Sequence, residues 1–113
     1  MKSFKIALAQ FSPFIGDLDS NVQKMIEQAN EAKKQNAEII VFPELSIIGY
    51  PAEDLFLRPS LAKRTAQAFE KLATIKDIVL VFGFVNLTDD GQRYNAAAVM
   101  KDGQVLGIYN KQN

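Results

Sequence analysis

The chain reads as an α/β domain, a mixed sheet with helices on one face. Two observations predict this. Short runs of β-branched and aromatic residues alternate with segments of helical spacing through the first two-thirds of the chain. The last third abandons that alternation for two apolar runs joined by Asp-Gly, the mark of a tight hairpin. Parallel strands joined by right-handed crossovers, with antiparallel strands added at one side, satisfy both.

Each element has its own warrant. Phe4 to Phe11 (FKIALAQF) is short and apolar and predicts a strand; Ser12 to Asp17 holds a Pro and a Gly and predicts a loop. Val22, Met25, Ile26, Ala29 and Ala32 or Lys33 repeat at threes and fours, predicting a helix over about 19–35, with the Met25–Ile26–Ala29 face in the core. Asp19 or Ser20 suits its N-cap, and Lys33 and Lys34 suit the negative end of its dipole. Glu38 to Phe42 (EIIVF) lacks polar alternation, as expected of a strand covered on both faces, and ends at Pro43, which has no N–H to donate. An irregular stretch over 43–58 follows. Leu61, Ala62, Thr65, Ala66, Phe69 and Leu72 then predict a second helix over roughly 60–74, with Pro59 just ahead of it. Asp77 to Phe84 predicts another buried strand, with Phe82 and Phe84 in the core, and Thr88 to Gly91 a turn. Tyr94 to Met100 and Val105 to Tyr109 form the hairpin arms, turned by Lys101 to Gln104.

Bulk composition narrows the functions. The chain has 113 residues, enough for one domain or part of one. Its 48% hydrophobic and 23% charged content is that of a globular chain, not a disordered one. Thirteen basic and thirteen acidic side chains cancel without a block of either sign, which argues against nucleic acid or an anionic membrane as partner. There is no cysteine, hence no disulfide and no thiolate nucleophile, and no histidine, hence neither the usual zinc ligand nor the usual proton carrier. No metal site is expected. MKSFKIALAQF suits neither a signal peptide nor a membrane span, so a cytoplasmic location is expected. Neither GxGxxG nor GxxxxGK[ST] occurs, so nucleotide binding by this segment is not expected.

One carboxylate stands out. Glu44 lies in VFPELSIIGYP, among uncharged residues and just past the carboxyl end of the second predicted strand, where ligands gather in open α/β sheets. Burying a lone carboxylate costs several kcal/mol unless it is paired or neutralised. Outside any wider motif it would read as a solvated loop residue.

The wider motif is a resemblance. KIALAQF, then IIVFPELSIIGYP, then Gly107-Ile108-Tyr109-Asn110-Lys111 together resemble the carbon–nitrogen hydrolase (nitrilase) superfamily, over essentially the whole chain. The stretch GYPAEDLFLRPS and the final YNKQN are similar to the glutaminase domains of glutamine-dependent NAD⁺ synthetases. The resemblance implies part of a four-layer α-β-β-α sandwich, with residues 1–113 as the N-terminal part of the hydrolase domain. It implies that Glu44 is the general base, that Lys111 stabilises the oxyanion, and that Tyr50 borders the substrate pocket. It further implies glutamine as substrate, ammonia delivered for NAD⁺ synthesis from the deamido dinucleotide, and ATP and Mg²⁺ used by a synthetase domain of the same polypeptide. In the family the nucleophile is a cysteine beyond the lysine, so these 113 residues alone are expected to be inactive. A free-standing amidase for another small amide and a non-catalytic, oligomer-forming domain are the alternatives. Glu53, Asp54 and Arg58 are expected to cap or pair locally, and Asn95 to satisfy neighbouring backbone groups. One of two expected sheets leaves apolar surface open, so association with further copies is expected.

Overall fold

The computed structural model describes residues 4–10, 18–43, 60–87 and 93–111. Within them a five-stranded sheet runs in chain order: β1 (Ile6–Leu8), β2 (Ile39–Val41), β3 (Val79–Leu87), β4 (Arg93–Lys101) and β5 (Gln104–Asn110). β1, β2 and β3 are parallel; β4 and β5 each add antiparallel. Helices α1 (Leu18–Lys34) and α2 (Ser60–Leu72) occupy the two crossovers. The expected α/β architecture with a mixed sheet is therefore present.

The core lies between helices and sheet. Val22, Met25, Ala29 and Ala32 of α1 are buried, as their spacing predicts, with Ile26 partly buried beside them. From α2 come Ala68 and Leu72, with Phe69 half-buried. The sequence reading put Ala66 on this stripe; it is exposed, and Ala68 is buried instead. From the sheet come Ile40, Phe42, Leu80, Phe82, Phe84, Ala96, Ala98 and Met100. Phe69 sets its ring edge-on to Phe82 and Phe84, with centroids 5.2 and 5.0 Å away. Such pairs add about 0.5–1.5 kcal/mol beyond the area they bury.

Several boundaries differ from expectation for identifiable reasons. α1 begins at Leu18, so Asp19 and Ser20 stand inside its first turn and neither is the N-cap. The Asp19 carboxylate instead meets Lys71 Nζ at 3.3 Å, across from the end of α2, in an exposed pair of little energetic weight. α1 ends with Asn36 at φ 66°: Ala37 N–H donates to Ala32 C=O and Asn36 N–H to Lys33 C=O, a Schellman closure. α2 stops at Leu72 and tightens through Thr74 N–H to Lys71 C=O and Ile75 N–H to Leu72 C=O. β1 is three residues long rather than eight, although Ala9 N–H still reaches Val41 C=O at 2.9 Å. β3 starts two residues late because Asp77 has φ 66°, and it runs on to Leu87 because β4 pairs with it throughout. The turn expected over 88–91 lies outside the described residues.

The two faces of the sheet differ. Alternation turns Ile6, Leu8, Ile39, Val41, Val79, Val81, Val99 and Tyr109 away from the helices. Leu8 and Tyr109 are about 70% exposed, at 71% and 69%, and the valines are half-buried. β2 and the start of β3, expected to be covered on both faces, are fully buried on the helix side alone.

Candidate active site

The topology brings two distant chain positions to one end of the sheet. β4 reverses β3 and β5 reverses β4, so β5 runs the same way as β2. Their carboxyl ends share an edge. At one end stand Phe42 and Pro43: Phe42 is buried and its N–H donates to Val81 C=O at 2.9 Å. Pro43 closes the ladder, having no N–H. At the other end stands Lys111, which directly follows β5 and whose N–H donates to Asn95 C=O at 2.7 Å. Asn95 thus serves a neighbouring backbone group, as expected, but through its own carbonyl.

A hollow of about 390 Å³ spans the two ends on the sheet face away from the helices. Val41, Phe42, Val81, Gly83, Ala97 and Tyr109 give it apolar walls; Asn95, Asn110 and Lys111 supply polar groups. Among the described residues that line it, Lys111 alone is charged. A second hollow, about 320 Å³ between α2 and the sheet, is lined by residues such as Thr65, Phe69, Asn86 and Ile108, with no charged residue among the described ones. The first therefore places an ammonium beside a largely apolar hollow.

The sequence-predicted residues divide accordingly. Lys111 borders the hollow. Glu44 and Tyr50 lie outside the described residues, as do Glu53, Asp54 and Arg58; Phe42, two residues before Glu44, lines the hollow. β2 and β5 are three strand spacings apart, about 14 Å, which leaves room for a small molecule between side chains reaching in from each end.

Sequence reasoning missed one further group. Asn86 Nδ2 donates to Asn110 Oδ1 at 2.9 Å, beside Lys111. The only sequence signal for it is a polar amide near the end of each of two apolar strands, which is too common to read without the register.

Residues 5–113 match the Carbon-nitrogen hydrolase family. The chain belongs to that family. A glutamine-dependent NAD(+) synthetase of Acinetobacter baylyi is 73% identical over 113 residues, all of this chain and 21% of the relative. The structure of glutamine-dependent NAD⁺ synthetase from Acinetobacter baumannii, in complex with ADP, superposes with a TM-score of 0.96 at 74% identity, over 99% of this chain and 21% of that one. An amidase from Nesterenkonia sp. AN1, whose active site cysteine has undergone Michael addition of acrylamide, superposes with a TM-score of 0.88 at 26% identity, over 98% of this chain and 45% of that one. The chain thus spans about a fifth of the length of the synthetases it matches. Its sheet and helices are those of a nitrilase-superfamily fold.

Proposed function

We propose that this carbon–nitrogen hydrolase chain is the N-terminal part of the glutaminase domain of a glutamine-dependent NAD⁺ synthetase. The observation that carries the reading is the shared edge: Lys111 and the strand end that leads into Glu44 border one apolar hollow. The 73% identity to a synthetase favours glutamine over the other small amides that family amidases accept.

The chemistry follows from the residue types. Glutamine's side-chain amide carbon is attacked by a thiol, and with no cysteine in these 113 residues that thiol comes from elsewhere in the longer polypeptide. Glu44 takes the thiol proton and passes it to the departing ammonia. It then activates water against the thioester, releasing glutamate. Lys111 holds the tetrahedral oxyanion at both stages, and Tyr50 borders the pocket. ATP and Mg²⁺ are assigned to the synthetase domain, since neither GxGxxG nor GxxxxGK[ST] occurs in these 113 residues. Ammonia passes to that domain to convert the deamido dinucleotide to NAD⁺. A cytoplasmic setting fits this chemistry, and no helix among the described residues is long and apolar enough to cross a membrane.

The test separates the two half-reactions in the longer polypeptide. Glu44→Gln is expected to abolish NAD⁺ synthesis supported by glutamine and to leave synthesis supported by ammonium salts intact. Survival of the glutamine-supported rate would refute the role given to Glu44.

A further inference from the structure

β5 is the edge strand of the sheet among the described residues, and nearly all its residues are exposed. Exposed strand ends open locally at little cost. A catalytic ammonium, by contrast, has to be held to within about half an ångström. Two contacts at the end of β5 stand out among the described residues. One is the last ladder bond, from Lys111 N–H to Asn95 C=O at 2.7 Å. The other is the side-chain bond from Asn86 to Asn110 at 2.9 Å. That second bond skips a strand: Asn86 belongs to β3, Asn110 to β5, and β4 runs between them. Asn86 stands opposite Tyr94 and Asn110 opposite Ala96, so the amides meet diagonally across β4, where the small Ala96 leaves the path open. Alternation sends the Lys111 side chain to the other face, toward the hollow; Asn110 is among the residues that line the hollow, whereas Asn86 is not, so the Asn86 variants report on the bond alone.

We propose that Asn86 and Asn110 are positioning residues for Lys111: their bond ties the exposed end of β5 across β4 to β3 and so fixes where the ammonium stands. The inference rests on the reading of Lys111 as the group that stabilises the oxyanion.

The test uses the longer polypeptide with both half-reactions intact. Asn86→Leu and Asn110→Leu keep the volume and remove the bond. Asn86→Asp keeps it with the roles reversed, since the Asn110 amide can turn and donate to the new carboxylate. Either Leu variant is expected to lower kcat for glutamine-supported synthesis about tenfold with KM for glutamine little changed, because Lys111 acts on charge that exists only in the transition state. The double Leu variant is expected to lose no more than one single, since both remove the same bond. Asn86→Asp is expected to recover most of the parental kcat, and ammonia-supported synthesis to stay constant throughout. Additive losses in the double variant, equal losses for Asn86→Asp and Asn86→Leu, a change confined to KM, or an unaltered kcat in the Leu variants would each overturn the proposal. Lys111→Met tells the two readings apart. If it preserves glutamine-supported synthesis, the reading of Lys111 falls and takes this inference with it. If it abolishes that synthesis while the Leu variants leave kcat unaltered, only the positioning role falls.

Discussion

Phe69 shows what a single residue contributes here. Its ring lies edge-on to two buried phenylalanines and joins α2 to the middle of β3. Phe69→Ala should cost about 2–3 kcal/mol, below the full range for a buried Phe because Phe69 is only half-buried. A lower urea midpoint at unchanged slope would register this. Asn36 makes a different kind of contribution, through its left-handed backbone at φ 66°. Asn36→Gly should be neutral within a few tenths of a kcal/mol, whereas Asn36→Val should cost about 1–2 kcal/mol in the same unfolding experiment. Phe82 and Phe84 could be read as core directly from an apolar run. Ala68 could not: alanine suits either face of a helix, and only packing decides which face is covered.

A one-residue irregularity governs the hairpin. Lys101 pairs with Gln104 and Met100 with Val105, but Val99 pairs with Gly107, so Leu106 is an extra residue in β5. Beyond it the register is shifted by one. Had the Asp102–Gly103 turn alone set the pairing, every side chain from Gly107 onward would face the opposite way, and Lys111 would point toward the helices. Deletion of Leu106 is therefore expected to abolish glutamine-supported synthesis while sparing ammonia-supported synthesis; an active deletion variant would contradict this account of the bulge. The turn also braces its surroundings. Asp102 Oδ1 accepts from Asp77 N–H at 2.8 Å, and Asp102 C=O accepts from Lys76 Nζ at 3.3 Å, so the hairpin tip holds the loop that leads into β3. The Asp-Gly pair announces the turn in the sequence. The bulge does not show, because Val105-Leu106-Gly107 has no composition that separates a regular strand from an irregular one.

For the molecule as a whole, the main feature is the uncovered sheet face. Ile6, Leu8 and Tyr109 are all more than half exposed, at 54%, 71% and 69%. An apolar sheet face of this kind demands a partner layer. On the function proposed above, that layer is the rest of the hydrolase domain. Produced alone, the 113-residue chain should cover the face with further copies of itself. Size-exclusion chromatography should place it well above a monomer, and a compact monomer at micromolar concentration would count against this reading.

Element order, strand direction, the stripe of α1 and the hairpin turn were determined locally, by hydrophobic period and by the few residues that tolerate turns, so the sequence alone sufficed for them, whereas the stripe of α2 was settled by packing. The motif that singled out Glu44 and Lys111 is likewise local to the sequence. What the tertiary structure decided is which pieces meet. β5 runs alongside β2 because two successive reversals restore direction, Lys111 faces the hollow because one bulge shifts a register, and Asn86 finds Asn110 because Ala96 between them is small. These are relations between residues far apart in the chain, set by strand pairing and by the space neighbours leave, and no local pattern encodes them.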